Sequence, residues 1–546
     1  QPLQRLKTLL MLVQSCRHLK GGQLASMVFK HTKHGDPFVR MFTTSILKNI
    51  TSTFYRMIQK WIIDGNLEDP FQELFIQTRH HHQAMTDDDD DEQEEDENIW
   101  KNTFALREDM LPVFVSSDLA SCILRIGKSI NFLRECQQDN KWILHDSRSS
   151  ASHHVAIESL GQLSSVVRER ALEMDRALMR YLFSSEFDFI HSGCQVIKNY
   201  LLMGRGDFVA YYLSLVSPHL DKPSNSIDRY LLPNLLDKAL KLTSASVDPP
   251  EVHAALSVVG RYYEKTNFQV DKKEDHAIRG WDQFSLEFKP SKPINRLFTR
   301  FMLAPYQKIF RFLLQLRRHE MDLVGVWKKQ HELGRFLDKQ SASVDSPCLP
   351  HSIRQLLRQC ALYRMELSNF VNSMLYYFMF GVIETRWSKL ITRTLEFRDG
   401  HGDMDALIAM HEHFPLEIAK ALYLIERDSV HTLLLKFVRL IEEFIRFVSH
   451  IHDESKTLAD RIKMILQHGA DVMDNEEDFS ADALFDKVHH EQQEHFGLTP
   501  LMVHQFQRQC ASIDVQQQQF KNLCAQLQKN KQAEALVRVL FNLDDY

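Results

Sequence analysis

Apolar residues recur at helical spacing along almost the whole chain. Leu433, Leu434, Phe437, Val438, Ile441, Phe444, Ile445 and Val448 fall three, four, seven or eight residues apart, which places them on one stripe of a helix. Similar stripes run through Leu9 to Val13, Ile123 to Leu133, Val166 to Phe183, Leu297 to Leu316, Ile353 to Phe380 and Phe520 to Leu540. Each predicts a helix with one buried face. Alternating segments bounded by turn residues are scarce, and the one short candidate strand is Asp282 to Phe288 (DQFSLEF), where Phe284, Leu286 and Phe288 alternate. The pattern predicts an all-α assembly of helical bundles.

Breaks in the pattern mark connections: Ser217 to Asn225, Val247 to Glu251, Lys289 to Pro293 and Ser341 to Pro350. Two segments, Thr78 to Asn98 and Gly469 to Gln493, combine low hydrophobicity with concentrated negative charge, so too little apolar burial is available to offset the entropy of ordering them. They are expected to be disordered or mobile. No regular repeat of the solenoid kind is visible.

Composition sharpens this reading. Over 546 residues, 44% are apolar and 25% charged, enough for about three or four core-forming units. Gly (18) and Pro (16) are sparse, which excludes collagen-like and broadly disordered chains. The net charge of -6 comes from Asp87 to Glu97, whose ten carboxylates, set aside, leave a remainder of +4. That remainder is too weakly basic for a dedicated nucleic-acid binder. Eight cysteines at positions 16, 122, 136, 194, 348, 360, 510 and 524 form no CxxC pair, as expected in a reducing compartment. The opening LQRLKTLLMLVQ is amphipathic and unlike a signal peptide, and is expected to be the interior of a longer chain. The densest apolar run, Met374 to Ile383, is about half of the ~20 residues that span a bilayer, so no membrane partner is expected.

The chemistry on offer is thin. Gly127-Lys128-Ser129 resembles the end of a phosphate-binding loop, but the position five residues before Gly127 is Cys122 and the segment reads as continuous helix. Histidines cluster at His80 to His82, at His411 and His413, and at His489, His490 and His495, yet His490 and His495 would point about 140° apart on a helix. These are expected to be solvated polar residues. Gly204-Arg205-Gly206-Asp207 reads as a turn between helices with Asp207 as N-cap. No catalytic residue, cofactor or metal is expected, and the chain is not expected to be an enzyme.

Three stretches are distinctive: KGGQLASMVFKHTKHGDPFVR at Lys20 to Arg40, WIIDGNLEDPFQELF at Trp61 to Phe75, and IGKSINFL at Ile126 to Leu133. They resemble the N-terminal grip region of the gamma-tubulin complex components. Downstream, YLLMGRGDF (Tyr200 to Phe208), GWDQFSL (Gly280 to Leu286), PINRLFT (Pro293 to Thr299), YQKIFRF (Tyr306 to Phe312), the Met374 to Trp387 stretch and FNLDDY (Phe541 to Tyr546) are similar to that family's C-terminal grip region. The chain departs from the family in a longer, more acidic insertion between Ile76 and Trp100.

The resemblance implies an elongated stack of helical bundles in two domains. Residues 1–192 would make lateral contacts with other components, component 2 in particular, and residues 193–546 would hold gamma-tubulin. It implies a scaffold in the ring that templates microtubules, in the cytoplasm at a centrosome or spindle pole body, recruited by adaptors through a further N-terminal region. Candidate gamma-tubulin contacts are Arg296, Arg300, Tyr306, Lys308, Arg311, Arg317 and Arg318, because basic and aromatic groups are favoured at interfaces. Candidate lateral contacts are Lys20, His31, Lys33, Asp36, Arg40, Asp64 and Glu68, with Gly21, Gly22, Gly35 and Gly65 serving turns that admit positive φ. The bland alternative is that Tyr306 and Phe310 are core and the arginines solvate the far face. The competing function is a helical-rod tethering subunit of a vesicle-trafficking complex, which would share length and composition.

Overall fold

The computed structural model describes residues 2–78, 100, 103–136, 160–223 except 186, 226–260 except 229, 280–290, 294–343, 351–424 except 401, 429–473 and 500–541. The first helices are α1 (Pro2–Cys16), α2 (Gly21–His31) and α3 (Pro37–Asp64), followed by a small antiparallel pair, β1 (Ile76–Thr78) and β2 (Phe104–Leu106), in which Ile76 faces Leu106. Helices α4 (Ser117–Cys136) and α5 (Leu160–Leu182) complete this part. The acidic run at 87–97 and the histidines at 80–82, 489, 490 and 495 lie outside the described residues. Thr78 does not begin a loose segment; it pairs with Phe104.

Next come two π-helical turns, Phe189–Cys194 and Ile197–Leu201, then α6 (Gly206–Leu220), α7 (Leu231–Leu242) and α8 (Pro250–Ala255). Strand β3 (Leu256–Gly260) pairs antiparallel with β4 (Phe284–Phe288), which follows the short α9 (Gly280–Gln283). The candidate strand at Asp282 to Phe288 is therefore present, narrowed to five residues. Its partner β3, in which buried Leu256 and Val258 flank Ser257, continues directly from α8 and is too short to stand out in the sequence. All of β4 is buried, so both of its faces are covered, and pairing with β3 satisfies the backbone groups along one edge.

The remainder is long helices: α10 (Arg300–Ser343), α11 (His351–Tyr376), a π-helical stretch Tyr377–Glu384, α12 (Thr385–Arg398), α13 (Met404–Ala421), α14 (Ser429–Met473), α15 (Pro500–Lys529) and α16 (Glu534–Leu540). The expected mobile segment at 469–493 is helical through Met473, and its other residues lie outside the described ones. The stripe from Phe520 to Leu540 is two helices, not one. Asn530 breaks it by accepting the Gln532 N–H at 3.0 Å, which starts a tight turn before α16.

Two apolar cores form. One joins Phe54, Ile58, Trp61 and Ile62 of α3 with Phe75, with Ile123, Ile126 and Ile130 of α4, and with Leu163, Val167 and Met174 of α5. The other is continuous from Trp100, Phe132, Leu178, Tyr181 and Leu182 through Phe189 and Tyr200 to Tyr306, Phe378, Phe437 and Leu536. The second core thus begins in the ends of α4 and α5. The helix before the join ends at Leu182, and the chain then turns at Asp188 (φ 46), whose side chain caps the first π-turn. Ser192 and Gly193 lie inside that turn. Phe189 then stacks on Phe298 at 5.3 Å, and a Cβ at Gly193 would lie 2.4 Å from the same ring.

Candidate interaction surfaces

The distinctive sequence stretches turn out to be punctuation and packing. Asp36 accepts the Phe38 N–H at 2.9 Å and Pro37 occupies the first helical position, so the GDP triplet starts α3. Gly65 ends it in the left-handed region (φ 66), its N–H donating to the Trp61 carbonyl at 3.0 Å. The Trp61 indole lies flat where Gly127 of α4 has no side chain, and its N–H reaches the Ile123 carbonyl at 2.8 Å. Asn131 closes the joint by donating to the carbonyls of Gly65 (2.8 Å) and Gly127 (2.9 Å). IGKSINFL is therefore a helix face built to receive an indole, and its amides are consumed within α4.

The lateral candidates do not form one patch. Lys20, Lys33, Asp36 and Arg40 are exposed around the α2–α3 turn and His31 is half-buried beside them. Lys33 lies over the Phe29 ring at 5.4 Å, and the Asp36 carboxylate is committed to its cap. Asp64 closes the other end of α3, roughly 36 Å from Arg40 at ~1.5 Å per helical residue, and Glu68 lies just past it. There Glu68 pairs with Lys60, and the Asp64 carbonyl accepts from Arg134. Of the four glycines, Gly21 and Gly65 take positive φ, whereas Gly22 is helical and buried under Met110.

The α10 candidates divide by helix face. Lys308 and Arg311 are exposed one turn apart. Tyr306 is 1% exposed with its ring 6.4 Å from Phe414, so it is core and cannot meet a partner. Phe310 is likewise buried. Arg317 pairs with Glu320 at 2.8 Å. Arg318 is enclosed: its guanidinium lies 4.7 Å from the Trp281 ring centroid and meets Asp221 at 3.5 Å and Asp322 at 3.6 Å. Burial pushes the Asp322 carboxyl up to about 6 against the pull of Arg318. Arg318 holds α9 and the end of α6 against α10, a structural duty. Arg296 ends a short 3-10 turn and Arg300 begins α10.

Several groups escaped sequence reading. Tyr376 and Phe380, read as part of a buried stripe, are 62% and 59% exposed with ring centroids 5.1 Å apart. Tyr376 already lies on the face of α11 opposite buried Met374, and the wider π-helical turn that follows carries Phe380 to the same side. His411, expected in solvent, is buried, hydrogen-bonded to Thr394 Oγ1 at 3.2 Å and edge-on to Phe189, and burial lowers its pKa to about 4. Asp207 does not cap α6; it accepts the backbone N–H (2.8 Å) and hydroxyl (2.9 Å) of Ser244 and ties α6 to the end of α7. Arg205 makes a bidentate pair with Asp248 (2.8 and 2.9 Å), whose Oδ2 also accepts from Tyr200 at 2.6 Å. The GRGD tetrapeptide is thus an internal fastener. Among the described residues there is no group of three or more His, Cys, Asp or Glu placed to hold a metal ion, and no helix long and apolar enough to cross a membrane.

Residues 1–184 match the family model described as Gamma tubulin complex component N-terminal, and residues 191–544 match Gamma tubulin complex component C-terminal. The chain is 31% identical over 463 residues to Gamma-tubulin complex component 3 of Arabidopsis thaliana, covering 82% of this chain and 50% of that protein. It is 29% identical over 435 residues to Gamma-tubulin complex component 3 of Homo sapiens (78% and 44%). It is 29% identical over 460 residues to Spindle pole body component alp6 of Schizosaccharomyces pombe (83% and 51%). The chain spans about half the length of the curated relatives it matches.

Proposed function

Because the chain belongs to the gamma tubulin complex component family, and within it is most like component 3, we propose that it is a structural subunit that positions gamma-tubulin for microtubule nucleation. The observation that carries this reading is that both family models match in order along one chain. In it, residues 1–192 meet neighbouring components laterally, component 2 among them, and residues 193–546 hold gamma-tubulin at a centrosome or spindle pole body. Adaptors would act through chain beyond this sequence. The physics suits a brace: each helix adds ~1.5 Å of reach per residue, and close-packed cores transmit spacing with little give. Any nucleotide chemistry then belongs to the partner.

Of the candidates whose side chains the structure describes, Lys308 and Arg311 are exposed on α10 and Lys20, Lys33 and Arg40 beside the α2–α3 turn, and two pairs of these serve the test. The test is co-elution of the full chain with purified gamma-tubulin and, separately, with component 2. Reversing Lys308 and Arg311 to Glu is expected to weaken tubulin binding about tenfold and leave component 2 binding unchanged. Reversing Lys33 and Arg40 should do the opposite. Failure of the unaltered chain to bind gamma-tubulin would overturn the reading.

A further inference from the structure

Where residues matched by the N-terminal family model meet those matched by the C-terminal one, a single guanidinium meets two carboxylates, with a third close by. Arg125 on α4 meets Asp175 on α5 at 3.2 Å and pairs with Asp403, the N-cap of α13. Asp405, in the first turn of α13, accepts the indole N–H of Trp100. The side chains of Arg125, Asp175 and Asp403 are only 20%, 13% and 28% exposed, so water screens them poorly. Arg125 Nε is buried without a hydrogen-bond partner among the described residues. Asp175 and Asp403 share this one poorly screened cation, with the exposed Asp405 close enough to act on Asp175, so at least one negative charge is uncompensated, a standing demand for a proton.

Geometry selects which carboxyl takes it. Asp403 is committed to capping α13, accepting the Ala406 N–H at 2.9 Å, and Asp405 lies in the same first turn, where it accepts from Trp100. Asp175 sits in mid-helix, where backbone N–H groups are already used. Burial pushes its carboxyl up to about 6, Arg125 pulls it back, and Asp403 and Asp405 push it further up. At the α3 contact, Arg170 is taken by Glu173 (3.1 Å) and lies 3.5 Å from the Ile62 carbonyl. Between α12 and α13, Thr394 hydrogen-bonds to His411, whose pKa burial lowers to about 4.

We propose that Arg125 and these three carboxylates form a proton-sensitive clamp across the join: proton uptake at Asp175 tightens the seat of α13 on α4 and α5, and proton loss slackens it. The apolar core through Phe132, Leu178 and Tyr181 keeps the two parts together in both states, so the clamp sets the stiffness of the contact. The sign follows from a carboxyl raised in the folded state. It binds its proton there at a pH where the unfolded chain does not, so its contribution is present at low pH and lost as pH rises through about 6.

The test is amide hydrogen exchange in the full chain over the first turns of α13, corrected for intrinsic rate, at about pH 5 and about pH 7.5. Protection in the unaltered chain is expected to fall about tenfold between the two conditions, while Asp175→Asn stays protected at both. Faster exchange in Asp175→Asn at both values, as for removal of a simple ion pair, would overturn the proposal. Asp405→Asn gives a second measure, since it keeps the oxygen that accepts from Trp100 and removes one charge. Its transition should move to lower pH, and an unmoved transition would also count against the clamp.

Discussion

At the scale of single residues, the family-like positions are explained by what they touch. Gly127 is the sharpest case, because a Cβ there would lie 1.9 Å from the Trp61 ring. The indole cannot step aside without giving up its hydrogen bond to the Ile123 carbonyl and the packing of its edge-on neighbour Phe104 at 4.8 Å. Gly127→Ala should therefore cost about 1–3 kcal/mol of stability, read as a lower urea midpoint with an unchanged slope. An unshifted midpoint would mean the indole is not held. The GKS triplet could be dismissed as a nucleotide loop from its spacing alone, but its real partner, a tryptophan 66 positions earlier in sequence, required the fold. The same holds for Tyr306, whose burial is set by the helix it packs against and not by its neighbours in the chain.

Elements were legible where local chemistry decides them. Asp36, Pro37 and Gly65 mark the two ends of α3, and the structure uses all three as a reader of capping rules would expect. Asp36→Ala should lower stability by about 1 kcal/mol and Asp36→Asn by much less, since Asn keeps an acceptor for the Phe38 N–H; chemical denaturation distinguishes them. Equal losses in both would point to a role for the charge instead. Elsewhere the periodic signal overran its element: the stripes ending at Phe183, Phe380 and Leu540 cross a turn, a π-helical stretch and a 3-10 break. Apolar residues continue through such irregularities because the core continues beneath them, so periodicity alone does not show where hydrogen bonding changes register.

At the scale of the molecule, the join near residues 183–201 is a shared core, not a flexible linker. Phe132, Leu178, Tyr181 and Leu182 belong to the same apolar cluster as Phe189, Phe298 and Met404. A fragment of residues 193–546 produced alone should consequently melt several degrees below the full chain and bind a hydrophobic dye, both measurable by thermal scan and fluorescence. Equal melting temperatures would show that the core does not cross. Taken by itself, the order of residues determined the all-helical class, the capped ends of α3, the absence of a phosphate loop at Gly127 and the likeness to one family. Each of these depends on neighbours within a turn or two, or on pattern. Only the tertiary structure decided which basic side chains face outward and which are enclosed, that His411 is buried, and that Arg125 meets Asp175 and Asp403. Those outcomes depend on surfaces brought together from distant parts of the chain, and periodicity along one helix carries no record of what packs against it.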